Sequence, residues 1–391
     1  ALAAFESALA LDPENSQAHR GSGLALEKLE RYEDAVISLD RALEYDSASP
    51  DLLSCKGYCL YNLKRYKESV EALGKSLKRR PQNSFTLLYR GKAYVHLLQW
   101  EDALASFEMI LSFDDKNASV WYYKGICLSQ MARNSDALEA FDSALALDRS
   151  CAPAWFSRAR ELSTLTRYEE SLHAFDCALE LNPAMQDAAY RKGLSLISLN
   201  RFEESLEPLN TALSLGSGTG PLYYNRGHAL MELGRYMEAL ESFNRSLDLN
   251  EGDFVTWQEK GNALFHLGNF SDSLKAYNRS LELNPDNAHA AFCKGQASAS
   301  LGNADDAVKA FDLALSLNPA LSEAAYFKGL ALSRLGRFED AVKIFDRALE
   351  IEPTHWESLF EKGRALTSLG MYREAVRTFD KVLQIEKNHG E

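Results

Sequence analysis

Residues 324–353 read AAYFKGLALSRLGRFEDAVKIFDRALEIEP. Apolar residues return at helical spacing up to Leu335, the pattern breaks at Gly336-Arg337, and it resumes from Phe338 to Ile351 ahead of Pro353. A glycine or arginine at the break stops one helix and a proline near the end stops the next, so the segment reads as two antiparallel amphipathic helices. The same stretch recurs every 34 residues. Steps of that length from Gly23 meet Gly57, Gly91, Gly125, Ala159, Gly193, Gly227, Gly261, Gly295, Gly329 and Gly363. Twelve residues after each stands Ala or Ser, and twenty after each stands Leu, from Leu43 to Leu383. Small residues in these columns suit close approach of helix backbones. One helix pair cannot bury its own apolar face, so the units are expected to stack into an all-α solenoid of antiparallel helix pairs.

Composition narrows the function. The chain has 391 residues with 46% hydrophobic and 25% charged side chains. Length alone suggests domains of ~150 residues, but a fixed short period overrides that expectation. No apolar run approaches the ~18 residues of a membrane span, so no membrane partner is expected. The net charge of −13, from 43 Lys+Arg against 56 Asp+Glu, argues against a nucleic-acid partner. Cysteines stand at 55, 59, 127, 151, 177 and 293, and no second pair completes a zinc site. A reduced, cytoplasmic setting is the expectation. Histidines are scattered, and the Gly216–Pro221 stretch lacks the Gly-Lys-Ser/Thr ending of a phosphate-binding loop. We therefore expect no catalytic residues, no metal and no cofactor, hence no enzyme. Ala1 opens in the middle of a unit, so the chain reads as a segment of something longer, and a targeting signal could lie outside it.

The residues now carry a resemblance. The period of 34, Trp-x-x-Lys-Gly-x-x-Leu at Trp121–Leu128 and Trp257–Leu264, and Leu233-Gly234-Arg235-Tyr236 followed by Ala239 and Phe243 resemble the tetratricopeptide repeat family. The resemblance covers the whole chain. It implies eleven full repeats from Ser16, preceded by one trailing helix, in a right-handed α-α superhelical solenoid whose first helices line a concave groove that holds peptides or proteins.

Departures from the pattern are informative. Pro208 falls inside a second helix, where it deletes a hydrogen bond and clashes with the Glu204 carbonyl, at a cost of about 3 kcal/mol. After it comes Gly216-Ser217-Gly218-Thr219-Gly220-Pro221, and from Gly234 onward a glycine marks each interhelix turn. These features suggest two sub-arrays, 1–215 and 216–391, with a hinge near 208–221; a tolerated kink is the competing reading. Glu161 replaces the Ala, Cys or Ser of its column. It is either a buried acidic contact or a side chain turned outward or paired locally. The residue before the glycine column is Lys or Arg in ten repeats, which invites an anion-binding reading, but salt bridges along helix faces explain it better.

By the family's geometry, positions 2, 5, 6, 9, 12 and 13 of each first helix face the groove. Position 5 is aromatic at Tyr122, Phe156, Tyr190, Tyr224, Phe292, Tyr326 and Phe360, and Tyr58 and Tyr61 lie nearby. Such residues are candidate anchors for a bound chain. Arg160, Arg191, Asn225 and Asn262 are the polar candidates. The groove charges balance, with Arg20, Lys28, Lys92, Arg160, Arg191, Arg334 and Arg364 against Glu27, Asp51, Glu232, Glu259, Glu323, Glu357 and Glu361. The first half carries an excess of three cations and the second an excess of three anions. Family members that clamp a C-terminal carboxylate use Lys and Asn in a set order over three repeats. Asn225 and Asn262 occur in the wrong order, so that clamp is absent. The expected function is a scaffold that binds an extended polypeptide of unknown identity, with the oligomeric state undefined. The alternative is the substrate-selecting arm of a larger enzyme such as an O-linked glycosyltransferase. The asparagine ladder of that family is missing, since Asn62, Asn225 and Asn262 do not form one.

Overall fold

The computed structural model describes residues 1–389, and every regular element among them is an α-helix. The chain divides into two compact units, Ala1–Leu199 and the remainder from Asn200. The first unit opens with a lone helix, α1 (Leu2–Leu11). The pairs α2 (Ser16–Lys28) with α3 (Tyr32–Tyr45), α4 (Pro50–Asn62) with α5 (Tyr66–Leu77), and α6 (Ser84–His96) with α7 (Trp100–Leu111) follow. Next come α8 (Ala118–Gln130) with α9 (Asn134–Leu147), α10 (Ala152–Thr164) with α11 (Tyr168–Leu181), and α12 (Gln186–Ser198).

The second unit begins with α13 (Phe202–Leu215). Its pairs are α14 (Gly220–Glu232) with α15 (Tyr236–Leu249), and α16 (Phe254–His266) with α17 (Phe270–Leu283). They continue with α18 (Ala288–Ser300) and α19 (Ala304–Leu317), α20 (Ser322–Arg334) and α21 (Phe338–Ile351), and α22 (Trp356–Ser368) and α23 (Tyr372–His389). Each first helix starts on the 34-residue register set by Ser16. α13 remains one helix through Pro208, which is buried.

Local chemistry explains the elements. Side chains of Asn15, Asn83, Asn117, Asp253 and Asn287 accept a backbone N–H in the first turn of their helices, satisfying donors that have no partner within the helix. Most second helices start beside an arginine that pairs with an acid three residues on, such as Arg65 with Glu68 and Arg337 with Asp340. The acid lies in the first turn, where the helix dipole favours it.

Within each pair a second-helix aromatic or leucine lies against the glycine column of the first helix, which is Ala159 in α10. A Cβ at Gly125 would sit 2.5 Å from the Phe141 ring, and one at Gly329 would sit 2.5 Å from the Phe345 ring. Phe107, Phe141, Phe175, Phe243, Phe311 and Phe345 are fully buried there. Burial of such a side chain contributes about 1.5–3 kcal/mol. Serines of the small-residue column add a tie: Ser69 donates to the Gly57 carbonyl at 2.7 Å and Ser273 to the Gly261 carbonyl at 2.9 Å.

Candidate functional site

In the first unit successive first helices pack against each other, α2 on α4 through to α10 on α12, whereas among the described residues no two second helices do. In the second unit α14, α16, α18, α20 and α22 repeat the arrangement. A stack whose layers are unequally spaced curves toward the closer layer, so in each unit the first helices form the inner, concave face.

All twelve sequence-derived candidates lie on first helices. Tyr58 and Tyr61 on α4 join a dense aromatic group. The Tyr58 ring lies 4.7 Å from Tyr89 and 5.4 Å from Phe85, and Tyr61 lies 5.3 Å from Tyr89. Burial, with its tyrosine neighbours, pushes the Tyr61 phenol up to about 12. Beside this group the Lys92 ammonium stands 5.3 Å from the Tyr89 ring and 4.9 Å from the Tyr123 ring. Such placement is attractive through the ring quadrupole. Burial lowers the Lys92 pKa, and no carboxylate among the described residues pairs with it.

The position-5 aromatics have a second role. Tyr122 packs on Phe141 and Phe156 on Phe175; in the second unit Tyr224 packs on Phe243, Phe292 on Phe311 and Tyr326 on Phe345, with centroids 6.0–6.3 Å apart. Phe292 is 6% exposed and belongs to the core. Tyr190 is half-buried on α12. These rings brace the groove wall against the second helices.

The polar candidates are tied into the wall as well. Arg160 donates to the Ser129 hydroxyl at 3.0 Å and lies 3.5 Å from Glu161 Oε1, which accepts a 2.6 Å bond from Ser129. Glu161, 3% exposed, is thus a buried acid paired locally, which joins two readings that the sequence set apart. Arg191 bonds Asp187 at 3.1 Å. Asp187 stands at position 2 and belongs to the groove set, so the first-half excess is two cations rather than three. Asn225 donates to the Pro221 carbonyl at 2.7 Å. Asn262 donates to Glu259 at 3.2 Å and accepts from the Tyr277 hydroxyl at 2.7 Å, so both ends of its amide are engaged. In the second unit a cleft of about 860 Å³ opens on the inner face between α20 and α22, lined by Tyr326, Leu330, Arg334, Phe338, Glu361 and Arg364.

Sequence reasoning passed over Phe85, Tyr89 and Tyr123. They occupy positions 2 and 6, which the register had already assigned to the groove, so a search for aromatics at every groove position finds them. The cation column before the glycines points elsewhere: Lys124 bonds Glu108 at 3.2 Å, Arg158 bonds Asp142 at 2.6 Å and Lys192 bonds Asp176 at 2.7 Å, each linking a first helix to the preceding second helix.

Among the described residues no cluster of three or more His, Cys, Asp or Glu could hold a metal ion, and no helix is long and apolar enough to cross a membrane. Tetratricopeptide repeat family models match residues 1–51, 156–219 and 259–322, and a second such model matches 221–253. The chain belongs to the tetratricopeptide repeat family. A model for subunit 3 of the anaphase-promoting complex, or cyclosome, matches residues 28–110 and 300–382 of this tetratricopeptide repeat protein. Among solved structures it is similar to YrrB, titled a TPR protein with an unusual peptide-binding site, at 27% identity over 48% of this chain and 96% of that one, with a TM-score of 0.45. It is also similar to MamA from Desulfovibrio magneticus RS-1 (21% identity, 44% and 97% covered, TM-score 0.43). Cut9-Hcn1 of the APC/C is similar at 15% identity (94% and 92% covered, TM-score 0.46). No curated protein matches.

Proposed function

We propose that the inner face of each unit holds an extended polypeptide segment, which makes this tetratricopeptide repeat protein an interaction scaffold. The observation that carries the reading is the strip of Tyr58, Phe85, Tyr89 and Tyr123 around Lys92. Phe85 is 46% exposed, and the Lys92 ammonium over the Tyr89 and Tyr123 rings has no carboxylate of its own among the described residues. Rigid aromatic surface next to an unneutralised cation suits an apolar side chain followed by an acid. Over the first unit, Arg20, Lys28, Lys92, Arg160 and Arg191 outnumber Glu27, Asp51 and Asp187, which favours an acidic segment. In the second unit Glu232, Glu259, Glu323, Glu357 and Glu361 outnumber Arg334 and Arg364, which favours a basic one. Peptide-display selection on the full chain, counter-screened on Phe85→Ala/Lys92→Met, tests the reading. Sequences with an aromatic or aliphatic residue beside Asp or Glu should be enriched more strongly on the wild type than on the variant. Equal enrichment on both would sink it.

A further inference from the structure

The outer, second-helix side of the first unit carries a feature of a different kind. In most repeats the cation before the glycine bonds a residue sixteen positions earlier, on the preceding second helix. Lys56 pairs with Asp40, Arg158 with Asp142 at 2.6 Å, Arg226 with Asn210 at 2.8 Å and Lys328 with Asp312 at 2.5 Å. Arg90 departs from this. Its counterpart is Gly74, where every other full repeat has Asp, Glu or Asn. A Cβ at Gly74 would meet nothing within 4 Å, so the missing side chain leaves a notch. Arg90 turns instead to the Ser106 hydroxyl at 3.2 Å, and no carboxylate among the described residues pairs with it.

The notch opens into a cleft of about 560 Å³ between α5, α6 and α7, within the size range of small-ligand sites. Arg90, Lys75 and Lys78 supply its charge, and Leu77, Leu87 and Met109 its apolar floor. It lies in the most basic stretch of an acidic chain. Residues 64–80 hold Lys64, Arg65, Lys67, Lys75, Lys78, Arg79 and Arg80 against Glu68 and Glu71. Arg65 and Arg80 are engaged by Glu68 and Asp51, whereas Lys75 and Lys78 line the cleft. In the equivalent cleft between α21, α22 and α23, Asp346 occupies the column and bonds Lys362 at 2.5 Å, and Glu350 and Lys381 stand where Lys78 and Met109 line the first.

We propose that the cleft binds an acidic peptide segment of a partner protein. An Asp or Glu carboxylate takes the place of the missing column acid on Arg90, and a neighbouring aliphatic side chain rests on Leu77, Leu87 and Met109. The other repeats supply the geometry, since they hold a carboxylate against the matching cation at 2.5–3.2 Å. Two features favour a peptide over free phosphate: the apolar floor, and Glu71 on the cleft wall, which repels a dianion. This site lies on the opposite face from the groove, and neither reading depends on the other.

The test is fluorescence anisotropy of the labelled peptide Gly-Ser-Leu-Asp-Leu-Ser-Gly, with its Asn counterpart as control and inorganic phosphate as competitor, on the full chain carrying Phe85→Ala/Lys92→Met, which removes the groove site. Saturable binding is expected by the millimolar range. The Asn peptide, and the variants Gly74→Asp and Arg90→Gln, should each weaken it about tenfold or more, because each removes a charge-assisted bond or its vacancy. Gly74→Asp should also keep or raise the thermal midpoint, which separates loss of the site from loss of the fold. Absence of saturable binding, full binding by Gly74→Asp, or displacement by phosphate as effective as by unlabelled peptide would each overturn the proposal.

Discussion

Thr166 holds a backbone φ of 58° in the turn between α10 and α11. That left-handed conformation brings Cβ against the backbone and costs an L-residue about 1–2 kcal/mol, with β-branched residues at the upper end. The equivalent turns of the second unit use Gly234, Gly268, Gly302, Gly336 and Gly370, at φ 72–80°. Thr166 is exposed, so its side chain returns little in packing. Replacement by glycine removes the strain but restores about 0.4–1 kcal/mol of unfolded-chain freedom. The net expectation is a stabilisation of about 0.5–1 kcal/mol. Glu30, Lys64, Leu98 and Ala132 hold the same conformation at φ 57–60°, and Leu98 is 69% exposed. Substitutions at all five turns lie a repeat or more apart, so their effects should sum to about 2–5 kcal/mol. Urea unfolding of single and combined variants reads this as a higher midpoint at unchanged slope. A lower midpoint for Thr166→Gly would refute the reasoning, since it would mean that the turn gains more from the threonine than the strain removes.

Gly125→Ala should destabilise by about 1–3 kcal/mol, because its Cβ meets the Phe141 ring at 2.5 Å; a thermal midpoint at or above wild type would contradict that packing. Ser129→Ala takes a 2.6 Å donor from the buried Glu161 and should cost about 1–3 kcal/mol in urea unfolding, while an unchanged midpoint would mean that Arg160 alone satisfies the carboxylate. Burial holds the Lys92 pKa below its ordinary 10.5, so the folded state releases that proton before the unfolded state does. The stability contribution of the site is lowest at neutral pH, rises as pH climbs through the lowered folded value, and is complete above 10.5. The stability gap between wild type and Lys92→Met should therefore shift in favour of wild type over that window, and a gap independent of pH would show that Lys92 is not desolvated.

Much of this molecule was legible because a repeat states each position many times over. The glycine and leucine columns located both helices of every pair, and the register from Ser16 matches the first-helix starts. Single positions were harder to read. Nothing in the identity of Thr166 or Leu98 announces a left-handed backbone, since only comparison with the glycine turns that follow suggests it. The partner of Glu161 stands 32 residues away on α8, so neighbours in sequence could not name it. Position 5 drew attention as the aromatic column, yet its rings serve first to brace the second helices. The richer aromatic surface came from Phe85, Tyr89 and Tyr123, which break no pattern and so drew no notice. Pro208 drew attention as a helix breaker, and α13 accommodates it without interruption.

Site-specific photo-crosslinking tests the central claim most directly. A benzoylphenylalanine is placed either at Phe85, on the inner face, or at Ile37, 63% exposed on the second helix α3, and each protein is irradiated with a peptide enriched by display on the wild type. Groove binding predicts a covalent product at Phe85 and none at Ile37. A product at Ile37 with none at Phe85 would contradict it.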